Sequence, residues 1–119
     1  MTPPLRDRLR ADLPTAMRAR DRARVAVLRS TLAAIENAEA VDADGSGWGD
    51  GVWANEVARR HLDEATVHAL VTAERDRLLA LAGEMAELGQ EAEADDLAAQ
   101  AAVLDEHLDH RRPYGSGST

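Results

Sequence analysis

The stretch that decides the fold runs from Asp21 to Val41, DRARVAVLRSTLAAIENAEAV. Asp21 is a candidate N-cap, because its short carboxylate can accept from a backbone N–H two or three residues further on. Val25, Leu28, Leu32 and Ile35 then recur at spacings of three and four. That is the period of one helical face, and it predicts an amphipathic helix over about 22–40.

Upstream, Leu5, Leu9, Leu13, Ala16 and Met17 repeat the pattern, so a first helix is expected over about 4–19. Pro3 and Pro4 suit a first turn, where proline costs little. Pro14 falls inside the helix, removing one hydrogen bond at a cost of ~3 kcal/mol, and a kinked but nearly continuous helix is expected. Arg20-Asp21 makes the tight turn into the second helix. Downstream, DADGSGWGDG at 42–51 is the clearest loop in the chain. Little periodicity follows until Asp63, a second N-cap candidate, so the connection between helices two and three is long for a bundle. A third helix is expected over about 64–88, with Val67, Val71, Leu78, Leu81, Met85 and Leu88 on one stripe. Gly89 is the natural residue to end it. A fourth helix over about 91–109 carries Ala94, Leu97, Ala101, Leu104 and Leu108, with acids in its first turns to meet the helix dipole. The reading is an all-α, four-helix bundle-like single domain over residues 1–110, whose last two helices form an antiparallel hairpin. Residues 111–119, RRPYGSGST, are too polar and Gly/Ser-rich to order themselves.

With 119 residues and no cysteine, the chain has room for one modest core and none for a disulfide or a cysteine-ligated metal. The apolar residues are mostly Ala, Leu and Val, without Phe, which suits closely packed helices. No apolar leader and no run of ~18 apolar residues is present, and a soluble cytoplasmic protein is expected. Residues 1–35 carry a charge of +5 and residues 36–119 one of −13, giving the net −8. The basic third has two readings, a surface for phosphates or an internal complement to the acidic remainder.

Motifs that carry chemistry are scarce. The glycines of 45–51 neither follow a strand nor open a helix as a phosphate loop requires. Asp42, Asp44 and Asp50 lack the twelfth-position Glu of an EF-hand, so a flexible acidic loop is the reading there. His107 and His110, at i, i+3, have a metal-compatible spacing but lie at a fraying helix end, and no metal or cofactor is expected. His61 and His68 lack an HExxH arrangement and read as solvated. Trp48 and Trp53 either pin the 42–61 connection onto the bundle or offer a partner contact. No catalytic residues are assigned.

Ala16-Met17-Arg18-Ala19-Arg20-Asp21, Leu28-Arg29 and Ala33-Ala34-Ile35-Glu36-Asn37-Ala38-Glu39 together resemble the opening of the GatB/YqeY family. These are small bacterial proteins related to the C-terminal region of the B subunit of tRNA-dependent amidotransferases. Leu62-Asp63-Glu64 with Val67 and Glu74, then Leu88-Gly89 and Leu104 to Leu108, are similar to the family's later helices. The likeness spans residues 5–108, and its first half is the distinctive part. Family members continue into a second, smaller bundle, and the corresponding part of the B subunit is the one associated with tRNA.

The resemblance implies a non-catalytic accessory helical domain, with tRNA or an amidotransferase or tRNA-processing protein as partner. Arg18, Arg20, Arg22 and Arg24 around the first turn are the candidate phosphate contacts, electrostatic in kind because no aromatics interleave them. A protein-interaction bundle without a nucleic-acid role is the alternative. A carbon–nitrogen ligase using glutamine as amido donor is the family label taken literally, and no catalytic constellation supports it. Glu74 sits on the third helix's apolar stripe, where an unpaired carboxylate is costly. Arg29 is expected to meet it in a partly buried ion pair if helices two and three pack together.

Overall fold

The computed structural model describes residues 2–47 and 62–109, with the backbone alone for 41–47 and 109. Four helices follow one another without a strand among the described residues: α1 (Leu5–Ala19), α2 (Arg22–Gly47), α3 (Glu64–Glu87) and α4 (Glu91–Asp109). The three- and four-residue spacings do what they predict. Leu5, Leu9, Leu28, Ile35, Val67, Val71 and Leu104 are fully buried in one shared core. Each buried Leu or Ile of this kind is worth about 1.5–3 kcal/mol relative to exposure.

Helix ends explain why the elements stop where they do. Asp63 caps α3 by accepting from the Thr66 N–H at 2.8 Å, and Asp21 accepts from the Arg24 N–H at 3.2 Å at the start of α2. At the end of α3 the Gly89 N–H donates to Ala86 O and the Gln90 N–H to Met85 O. With Gly89 at φ +80° this is a Schellman ending. The end of α1 repeats the same two bonds, from Arg20 to Met17 and from Asp21 to Ala16, with Arg20 at φ 59° in the glycine's place.

Two boundaries and two positions differ from the sequence reading. Pro4 precedes the first turn of α1, and since it has no acceptor side chain, the cap comes from α3. There the Glu64 carboxylate accepts from the Leu5 N–H at 3.1 and 3.2 Å. α1 then runs through Pro14 as one helix, with the continuity expected of it. α2 continues to Gly47, so part of the expected 42–61 loop is helical; extending a formed helix costs far less than nucleating one, even across Gly45. Met17 and Leu88 lie on predicted stripes yet are 48% and 69% exposed, because both stand at helix ends outside the shared core.

α3 and α4 form the expected antiparallel hairpin, tied by Arg75 Nη1 to Asp105 Oδ1 at 2.6 Å. α1 and α2 lie against the half of that hairpin farther from its turn, and α2 packs more on α4 than on α3. At one edge the buried Arg6 of α1 pairs with Glu39 of α2. Glu39 also accepts from the Leu62 N–H at 2.9 Å, which joins the chain entering α3 to the first two helices.

Candidate functional site

The turn between α1 and α2 gathers the arginines that the sequence singles out, and the structure divides them. Arg18, in the last turn of α1, is exposed and touches Thr15 Oγ1 at 3.4 Å. Arg20, at the turn itself, and Arg22, the first residue of α2, are exposed and pair with no acid among the described residues. Arg29 is exposed about two turns along α2, with Nη2 3.9 Å from the exposed Met17 sulfur.

Arg24 points the other way, into the bundle. Its Nη1 donates to Asp12 Oδ2 on α1 at 2.7 Å, and its Nη2 donates to Glu106 on α4 at 2.9 Å. Asp12 Oδ2 also accepts from His107 Nε2 at 2.9 Å. An ionised carboxylate has no proton to give, so Nε2 is the protonated nitrogen. Arg8 completes the hub by donating to the His107 carbonyl at 2.9 Å and to Pro3 O at 2.6 Å. The side chains of Asp12, His107 and Arg24 are 16%, 15% and 22% exposed. Burial alone raises the Asp12 carboxyl, but the hydrogen bonds from His107 and Arg24, with their charges, outweigh it and hold it below its usual range. Burial works against the Arg24 charge too, and the bonds to Asp12 and Glu106 more than offset it. Arg24 is therefore a structural cation rather than a phosphate contact, because its donors are already spent on two acids. Arg24, like Arg6 beside Glu39 and Arg10 near Glu36, is a cation of the basic third that finds an acid of the remainder within the fold.

The expected Arg29–Glu74 pair does not form. Glu74 accepts from Arg77 Nη2 at 3.0 Å, one turn along its own helix, while Arg29 faces out beside Met17. The pairing required α2 to lie along α3, and α2 instead leans on α4. Trp48 and Trp53, like His61, His110 and Asp50, lie outside the described residues. So the metal spacing of His107 and His110 is described at one end only, where His107 is bonded to Asp12. Among the described residues no group of three or more His, Asp or Glu side chains could hold a metal.

Asp12 was within reach of the sequence. It lies three residues after Leu9 and four before Ala16, on the buried stripe of α1, by the same reasoning that singles out Glu74. What no periodicity shows is that its partners come from α2 and from the last turn of α4. A shallow groove of about 430 Å³ elsewhere is lined by Arg6, Arg10, Asp7 and Glu64 among others. Its cations are already answered, Arg6 by Glu39 and Arg10 by Glu36 at 3.9 Å, so it offers an anion little.

Compared with models of protein families, with characterised proteins and with solved structures, the chain finds no match in any of the three. Chemically, the site amounts to three or four outward guanidinium groups around one turn, held up by an internal ionic hub. Such a surface can neutralise phosphates, and it holds no paired nucleophile and base.

Proposed function

We propose that this chain is a non-catalytic helical binding module of GatB/YqeY type, whose α1–α2 turn contacts the phosphate backbone of tRNA through Arg18, Arg20 and Arg22. The observation that carries the reading is Arg20. It is the one non-glycine residue with positive φ among the described residues, and it stands where a helix of this ending ordinarily has glycine. A left-handed arginine costs backbone energy that glycine would not, and although its backbone closes the end of α1, its side chain makes no intramolecular bond among the described residues. Strain kept without an internal partner points to an external one. The tRNA component of the proposal comes from the resemblance of AMRARD, at the α1–α2 turn, and AAIENAE, further along α2 beside the start of α1. The acidic remainder of the chain repels a polyanion, which confines any contact to this turn.

The test is retardation of tRNA at two salt concentrations by the wild type and by Arg18→Ala/Arg20→Ala/Arg22→Ala. Each lost phosphate contact should lower the slope of log K against log salt by about 0.7–0.9. The triple variant is expected to bind more weakly to every RNA offered, with a slope lower by about two to three. Arg24→Ala is a contrasting variant, expected to act through stability. Monomeric protein with this turn intact that leaves tRNA unretarded at low salt would remove the proposal.

A further inference from the structure

The end of the α3–α4 hairpin is the least accounted-for part of the molecule. Past Ala82 on α3 and before Ala94 on α4 no residue is buried. Residues 79–97 carry six carboxylates, Glu84, Glu87, Glu91, Glu93, Asp95 and Asp96, and no cation; all six are exposed. On the apolar stripe of α3, Leu81 and Met85 are half-buried and Leu88, at the tip, is 69% exposed. Glu84, Glu87 and Glu91 lie within four residues of it. The core ends before this arm does, so an apolar stripe rimmed by acid is left uncovered.

The α1–α2 turn is its converse, with Arg18, Arg20, Arg22 and Arg29 exposed around the exposed Met17. The arm cannot reach the turn of its own molecule. Arg24 fixes Glu106 beside the turn, and Glu91 lies fifteen residues back along α4, about 22 Å of helix. We infer that the acidic arm docks on the basic α1–α2 turn of a second copy of this chain, Leu88 against Met17, with the two molecules antiparallel so that each arm meets the other's turn. Because both halves of the contact are present on every copy, the reciprocal arrangement closes on itself as a dimer. Like-charged ends are kept apart, which sets the antiparallel direction. The inference stands on charge and exposure and does not rest on tRNA binding. The two uses of the turn exclude one another, so dimerisation would shield it.

Sedimentation at about 50 mM and about 500 mM salt, over a concentration series, tests this, since exposed charges are screened strongly at the higher value. At low salt the wild-type mass should rise toward twice the monomer value, and at high salt it should fall back. One variant reverses the arm, Glu84→Arg/Glu87→Arg, and another reverses the turn, Arg18→Glu/Arg22→Glu. Each is expected to remain monomeric alone, and an equimolar mixture should associate, because the basic arm of one then meets the acidic turn of the other. Misfolded variants could not regain association on mixing, and circular dichroism checks that each is helical. A wild type monomeric at low salt, a reversed variant that still associates alone, or a mixture that stays monomeric would each overturn the inference. The arm variant keeps the turn intact and should still retard tRNA, so failure here is separable from failure of the tRNA reading.

Discussion

Arg20 has φ 59°, a conformation in which Cβ crowds the following carbonyl and which costs roughly 1–2 kcal/mol for a residue other than glycine. Glycine would remove that crowding but would also enlarge the freedom of the unfolded chain, so only part of the cost is recoverable. Arg20→Gly should therefore stabilise the fold by about 0.5–1 kcal/mol, read as a higher urea midpoint with an unchanged slope. In the same variant tRNA binding should weaken, because the guanidinium is gone. Gain of stability with loss of binding is the pattern of a residue retained for contact. A variant no more stable than the wild type would mean that Arg20 is unstrained, and the argument from strain would go with it.

At the element scale, Gly89 ends α3 by the same two hydrogen bonds that Arg20 closes at α1, with φ +80°. A Cβ placed on Gly89 would meet nothing within 4 Å. The effect of Gly89→Ala is thus conformational alone, and it should destabilise by about 1 kcal/mol, seen in a lowered thermal or urea midpoint. A neutral Gly89→Ala would show that the turn relaxes to another ending. Gly89 and Asp63 were legible because a cap is a local event between neighbours in sequence. The period-3.6 stripes of α1 to α4 were legible for the same reason, and they placed the buried leucines together with Val67 and Val71, while the buried Val27 and Val103 lie off them. What local pattern could not supply was the angle at which α1 and α2 cross the hairpin. That angle turned Arg29 outward, left Glu74 to Arg77, and brought Arg24 to Glu106 across 82 positions of sequence. It also left Leu88 bare, although the stripe that contains it is regular. The far end of α2 was misread because glycine and aspartate disfavour helix residue by residue, whereas extension depends on the helix already formed. Of the candidate site, the basic turn was visible as four arginines in seven residues, and the separation of Arg24 from the other three was not.

On the scale of the whole molecule, one carboxylate joins three helices. Asp12 on α1 accepts from Arg24 on α2 and from His107 on α4, and Glu106, Asp21 and Arg8 complete the surround. Asp12→Asn keeps the shape and loses the charge, leaving Arg24 without its shorter ionic partner. Because these groups are mostly but not fully buried, the expected cost is about 2–3 kcal/mol, short of the value for a deeply buried pair. The pH dependence follows from the lowered pKa of Asp12 in the folded state. An unfolded chain binds the proton more readily than the folded one, so the stabilisation is complete above the unfolded value, near 3.8. It diminishes as pH falls below that value and is lost once pH passes below the folded pKa. Urea midpoints of wild type and Asp12→Asn should therefore differ by a constant amount from about pH 7 down to about pH 5 and converge as pH drops below about 3.8. Since the hub holds α4 against the α1–α2 hairpin, acid should first loosen α4. Hydrogen exchange of amides in the last two turns of α4 should then rise ahead of that in the middle of α2. A gap between the two proteins that is undiminished at about pH 3 would show that the Asp12 charge contributes nothing, and that its removal acts through packing alone.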